Sequence, residues 1–236
     1  NLLDNVLISK YFRSIPAIIF YALVAAVCFL PLVIIFGHPS WPPLFILPAL
    51  ALAGLADVLY QYPYYRALQN DDTSTVSSLF ALGRVFVPAL AFVLIGEVLT
   101  VPQYIGFFVV ITGSVLVTFD RKVLRFNRSL GYMACASLII AFEAVLFKYI
   151  FTAVDWATGF TWSILFAFLF ALPMLAVRQW RKDISGSYPA FRKKWYIFGL
   201  EELINFFGTA AMTYAISLAK VSLVEAIGAF QPFFVL

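Results

Sequence analysis

Tyr65-Arg66-Ala67-Leu68, then Ser74-Thr75-Val76, then Ala81, then Arg84-Val85-Phe86 is a pattern that returns 148 residues further along the chain. There it reads Thr213-Tyr214-Ala215-Ile216, then Ser222-Leu223-Val224, then Ala229, then Pro232-Phe233-Phe234. Identities fall, without a gap, at Ala67/Ala215, Ser74/Ser222, Val76/Val224, Ala81/Ala229 and Phe86/Phe234. In a very apolar chain, an internal repeat marks duplicated halves. Membrane transporters built this way hold their site near the bilayer midplane, where the halves meet.

The residues around the repeat are those of an integral membrane protein: 63% are hydrophobic and 12% charged. Eight apolar segments can be drawn, at Ser14–Phe36, Leu44–Leu68, Ser74–Ile95, Pro102–Phe119, Ser129–Phe151, Ala157–Val177, Trp195–Leu218 and Ser222–Leu236. Most hold 18–25 residues, enough to cross a core of ~30 Å at ~1.5 Å per helical residue. The last has 15 residues and no polar flank, and the chain opens on Asn1-Leu2-Leu3 without Met. Both ends therefore read as cut helices, one finishing before Lys10 and one half present after Ser222. Runs such as Ala22 to Phe36 are apolar all round. An outer-membrane strand would alternate polar and apolar residues, so spanning helices are expected. The expected fold class is an all-α polytopic membrane protein.

The net charge of +4 belongs to the loops and gives no reason to expect nucleic acid as a partner. Thirteen basic residues fall on one side: Lys10 and Arg13, Arg66, the group Arg121, Lys122, Arg125 and Arg128, and six between Arg178 and Lys194. The other side has His38, Glu97 and Asp155, with Lys148 and Lys220 nearby. The imbalance places the basic side in the cytoplasm. Trp180, Tyr188 and Trp195 interleave the cations of Arg178–Lys194. This suits either a headgroup-level segment on an anionic leaflet or a solvated linker loop.

Several chemistries lack their residues. Cys28 and Cys135 lie mid-span and read as buried small hydrophobes. One His and two separated Cys do not make a zinc site of ordinary ligand count. The single His38 sits in a Gly-His-Pro turn, which leaves no Ser-His-Asp arrangement. There is no phosphate-cradling Gly-rich motif. No enzyme activity and no cofactor is expected, and transport would be secondary or passive unless a partner supplies ATPase activity.

Ile95-Gly96-Glu97, Leu99-Thr100, Gln103, Ile105-Gly106 and Thr112-Gly113 follow the first copy of the repeat. This run resembles the signature that closes each repeat of the EamA-type drug/metabolite transporter superfamily. The stretch from Ala67 to Phe86 resembles the preceding part of that repeat, and Asn1 to Phe12 the end of the family's first helix. The resemblance implies ten helices, as two inverted five-helix repeats around a central cavity. About eight helices and two partial ends would be present here. Residues 1–120 would form the first repeat, 121–128 a basic connecting loop and 129–236 the second repeat, cut in its fourth helix. Arg84 stands where the family usually has Pro, which the second copy keeps as Pro232. The family's termini are usually cytoplasmic, whereas the charge count puts the N-terminus outside.

The signature also has a physical reading. Thr100 is a suitable N-cap, with Pro102 in the first turn that follows. Gly106 and Gly113 share one helix face and permit close helix contact, either within the molecule or at a homodimer seam.

Charges at bilayer depth cost at least ~2.5–3.5 kcal/mol each and mark candidate sites. Arg84 lies about 15 Å past Ser74, Asp57 about 20 Å past Leu44 and Glu143 about 21 Å past Ser129, at the helical rise. They read as cavity residues or as a buried pair, Arg84 with Asp57 or with Glu143. Asp57, Tyr60, Gln61 and Tyr64 share one helix face, as do Glu202, Asn205, Thr209 and Thr213. Asn205 and Thr209 are the repeat partners of Asp57 and Gln61. Glu201 and Glu202 are shallower, suited to a vestibule or to proton coupling. Glu225 either lines the cavity or satisfies a helix dipole. Trp156 reads as an interfacial anchor, and Trp162, a turn deeper, as reaching the cavity.

Together these residues suggest a secondary transporter or exporter of a small polar organic metabolite, working by alternating access. Arg84, Asp57, Tyr60, Gln61, Tyr64, Asn205 and Trp162 would contact the solute. Glu143, Glu202 or Glu225 would titrate if protons are coupled. Its partners would be the solute and membrane lipid, in a bacterial or archaeal cell membrane. The alternative is a non-transporting sensor or assembly subunit that reuses the fold.

Overall fold

A computed structural model describes residues 14–70, 83–118 and 128–229, with Val76 and Leu79 between the first two stretches. Helix α1 (Ile15–Gly37) begins with Pro16 in its first turn, where the missing N–H costs nothing. It stops at His38, which turns left-handed (φ 48°, ψ 56°) and closes its N–H on the Ile34 carbonyl. A short 3₁₀ turn, Leu44–Ile46, leads into α2 (Leu47–Asn70). Helix α3 (Phe86–Ile95) ends at Gly96, whose φ of 67° favours glycine. Next come α4 (Val101–Thr118) and α5 (Arg128–Ile150). Helix α6 (Trp156–Ala171) is capped by Asp155, which accepts the Thr158 N–H at 2.9 Å. A 3₁₀ turn (Leu172–Leu175), the long α7 (Arg178–Leu218) and the short α8 (Val221–Gly228) complete the order.

Among the described residues there is no strand, and the chain is an all-α polytopic membrane protein. Four stretches, Ile15–Gly37, Leu44–Asn70, Ser129–Ile150 and Trp156–Leu175, are long and apolar enough to cross a bilayer. Trp195–Leu218 is not one of them; Glu201, Glu202, Asn205, Thr209 and Thr213 lower its hydropathy.

The connections fix the helix directions. Ser40, just after α1, donates its N–H to the Thr158 hydroxyl at the start of α6 (2.8 Å). Lys148, near the end of α5, donates to the Ile216 and Ala219 carbonyls at the end of α7 (3.0 and 2.7 Å). Glu97, just after α3, binds the start of α8. So α1, α3, α5 and α7 end, and α2, α4, α6 and α8 begin, at one end of the bundle. Helices α2 and α7 therefore run in opposite directions. Arg66 and Arg178–Lys194 lie toward the opposite, basic end.

Each end has its own apolar core. Ile15, Leu68, Met133, Ala171 and Ile184 belong to the cluster at the basic end. Ile46, Ala91, Ile150 and Val221 belong to the cluster at the other. Helix α2 is central and packs on α5 and α6, while α1 packs on α6 and α7. The α2–α6 approach depends on Gly54: a Cβ there would lie 2.5 Å from the Ala167 nitrogen and 2.8 Å from the Ser163 carbonyl oxygen.

Three features depart from the sequence reading. Arg178–Lys194 is not a linker loop; it is the first part of α7, with non-helical dihedrals at Lys194 (φ −126°, ψ 21°). It docks on α1, where the Tyr21 hydroxyl donates to the Ile184 carbonyl (2.9 Å) and the Tyr21 and Phe191 rings stack at 4.7 Å. Cys28 and Cys135 are exposed on the bundle surface, not buried. A Cβ at Gly106 or Gly113 would meet nothing within 4 Å among the described residues, so neither mediates a close helix contact with them. Close contacts are found instead at other glycines, among them Gly54 and Gly83, which abuts Ser137. The basic loop before Arg128, the helix end before Lys10, and Pro232 and Phe234 lie outside the described residues.

Candidate functional site

Between α2 and α7, at mid-depth, lies a cavity of about 750 Å³. The spacing of the α2 stripe puts Asp57, Tyr60, Gln61 and Tyr64 on one wall. The α7 stripe supplies Glu202, Asn205, Thr209 and Thr213 on the facing wall, with Glu201 beside them. Helix α5 adds Glu143 and Phe147, α8 adds Glu225 and Gly228, and Arg84 enters just before α3. Nine of the ten residues singled out from the sequence thus line one space. Trp162 does not. Its indole N–H donates to the Ser40 carbonyl (3.1 Å) and its ring meets Trp41 edge-on at 4.6 Å, away from the cavity.

Arg84 pairs with Glu225, Nε to Oε2 3.2 Å, and the two side chains are only 12% and 6% exposed. Neither Asp57 nor Glu143, the two carboxylates matched to Arg84 by depth, is its ion-pair partner. Gly228, one turn after Glu225, leaves the space that the guanidinium fills: a Cβ there would lie 2.8 Å from Arg84 Nη1 and 2.9 Å from Cζ. Glu225 therefore lines the cavity, and the N-terminus of α8 is met by another carboxylate. Glu143 lines the same space as Asp57 and Glu225. The Gln61 side-chain amide donates to the Asp57 backbone carbonyl (3.1 Å), which holds the α2 stripe in place. Glu201 and Glu202 are both buried in the cavity wall, so they do not form a separate vestibule.

A signature glycine-glutamate pair, a polar mid-span cavity and oppositely directed polar helices are found together here. The first of these lies in a stretch that matches a known family model. Residues 5–119 match the model of the EamA-like transporter family. No curated protein matches the chain. The EamA-like stretch carries Asp57, Tyr60, Gln61, Tyr64, Arg84 and Glu97. Glu143, Asn205, Glu202 and Glu225 come from the residues after it.

At the end of the bundle away from the basic residues, residues of the EamA-like signature join α3 and α4 to the start of α8. The Glu97 carboxylate accepts the N–H groups of Val221 (3.0 Å) and Ser222 (3.1 Å) and the Ser222 hydroxyl. Lys220 Nζ donates to the Val98 carbonyl (2.7 Å) and to Gln103 Oε1 (3.1 Å). That Gln103 oxygen also accepts the Thr100 N–H (2.9 Å), the second half of a capping box at the start of α4. The spacing of Thr100 and Gln103 thus has a local cause, while Glu97 acts at a distance. Trp156 is more than an interfacial anchor: its indole N–H donates to the Thr213 hydroxyl (3.0 Å), fixing the outer end of the α7 stripe. Sequence reading placed Glu97 at a span end but had no signal for its partner on α8. It had none either for the backbone contacts of Lys148 and Lys220.

Proposed function

We propose that this chain is a secondary transporter of a small polar organic metabolite, working by alternating access. The observation that carries this reading is the cavity: about 750 Å³ at mid-depth, between two antiparallel helices that turn polar faces toward each other. Such space is typical of small-molecule sites, roughly 300–1,000 Å³. Apolar clusters lie on both sides of it along the bundle axis, as two alternately opening ends require. The opposite directions of α2 and α7 support an inverted repeat, with the solute between the two halves. Asp57, Tyr60, Gln61 and Tyr64 would contact it from one half, and Glu202 and Asn205 from the other. Glu143, Glu225 and Arg84 set the charge of the site. The basic end faces the cytoplasm in this proposal, by the excess of Lys and Arg there.

Counterflow in liposomes tests the proposal. Full-length protein is reconstituted, loaded with a candidate solute and given the labelled solute outside. Transient accumulation above equilibrium is the expected result. Solute binding without flux would favour the alternative, a sensor that reuses the fold.

A further inference from the structure

We propose that the solute is an organic amine, whose protonated nitrogen is met by Asp57 and Glu143. The inference deepens the transport reading above and rests on the cavity being the solute site. It starts from an inventory of charge. Among the described residues, Arg66 and the six Lys and Arg residues of Arg178–Lys194 lie at the basic end, and Lys148 and Lys220 are bound to backbone carbonyls at the other. Among the described Lys and Arg residues, Arg84 alone lines the cavity. It is engaged by Glu225 at 3.2 Å and packed against Gly228. Asp57 and Glu143 reach the same space from two helices that pack on each other, α2 and α5.

Away from bulk solvent, two neighbouring carboxylates repel each other and attract a cation more strongly than they would in water. An ammonium group donates to both and removes the repulsion. A carboxylate solute meets the reverse situation: like charge at Asp57 and Glu143, and a guanidinium available only by stripping Glu225 of its partner. The rest of the lining suits the body of such an amine. Phe147, Phe160 and Phe206 are apolar walls, and the Tyr60 and Tyr64 rings lie on the Asp57 side. Aromatic faces also attract a cation directly.

Three probes of one size test this on purified full-length protein in nanodiscs: 2-phenylethylamine, 2-phenylethanol and 3-phenylpropionate. Binding is read by calorimetry. The amine is expected to bind at least about tenfold more tightly than the alcohol, and the carboxylate not at all. Glu143→Gln and Asp57→Asn should each weaken the amine by about tenfold or more, while Phe92→Leu on the exposed face of α3 leaves it unchanged. Carboxylate binding as tight as that of the amine overturns the proposal. So does amine binding that survives both substitutions, or no amine binding to a protein that still melts cooperatively. Counterflow of the labelled amine separates the two levels. Amine binding without flux defeats the transport reading and leaves the amine site standing; flux of an anion without amine binding does the opposite.

Discussion

Glu97 and Ser222 lie 125 residues apart and form one hydrogen-bonded unit. The carboxylate sits over the start of α8, accepting its first two N–H groups and the Ser222 hydroxyl. An anion at this position satisfies donors that the helix itself leaves unpaired, and it complements the helix dipole.

Removing that anion should be costly. Glu97→Ala is expected to destabilise the protein by about 1–3 kcal/mol, the range for hydrogen bonds to a charged group. Ser222→Ala should cost about 1 kcal/mol, since the backbone donors keep their acceptor. The double variant should lose little more than Glu97→Ala alone. Denaturant unfolding in one detergent measures all three, and strictly additive losses would show that the two residues are not coupled.

Arg84→Leu leaves Glu225 buried without its cation. Removing one member of such a pair costs about 3–5 kcal/mol unless the survivor takes up a proton. Arg84→Leu/Glu225→Gln should recover much of the stability. Arg84→Lys keeps the charge but loses the planar fork and should lie between wild type and Arg84→Leu. The comparison that matters is transport per folded molecule against Phe92→Leu. Equal activity of Arg84→Leu and that control would remove Arg84 from the site and leave it a structural charge.

Two glycines should respond in opposite ways to alanine. At Gly106 the new Cβ meets nothing within 4 Å. The substitution should stabilise α4 by up to about 1 kcal/mol through helix propensity. At Gly228 the same Cβ meets the Arg84 guanidinium at 2.8 Å. The expected loss is about 1–3 kcal/mol, as in overpacked cores. Thermal melting of the two variants side by side gives the signs; a stabilised Gly228→Ala would mean that Arg84 moves aside freely.

How much of this was legible depends on which geometry a residue pattern encodes. Helical spacing gathered Asp57, Tyr60, Gln61 and Tyr64 onto one face, because polar residues at these offsets have only one common direction. Depth along a helix was also readable, but lateral position was not. Arg84 was therefore matched to carboxylates at its own depth, and Glu225, read as a cavity residue from a helix distant in sequence, was not matched to it. Trp162 failed for a related reason: six residues past Trp156, it is rotated by about 240° and points to the loop around Ser40. In a lipid-facing protein, apolar surroundings do not tell inside from outside, so Cys28 and Cys135 were placed in the core and lie on the surface. Gly186, Pro189 and the cations of Arg178–Lys194 read as loop, yet packing of Ile184 and Phe191 against Tyr21 holds that stretch as helix.

The orientation is open to a direct test. In a background lacking Cys28 and Cys135, a cysteine replaces either Lys193 at the basic end or His38 at the other. An impermeant thiol reagent on intact cells should label His38→Cys and spare Lys193→Cys. The reverse pattern would place the basic end outside, as the usual topology of the resembling family requires.

The two apolar clusters have a further consequence for turnover. If the ends open in alternation, opening one exposes its cluster while closing the other buries its own. The free-energy gap between the two open forms is then set by the difference between the clusters, not by the full cost of exposing either. Two large opposed terms can leave a small remainder, and a small remainder keeps both forms populated. Core substitutions at opposite ends, such as Leu68→Ala and Ile150→Ala, would then bias the protein toward opposite faces of the membrane before they unfold it.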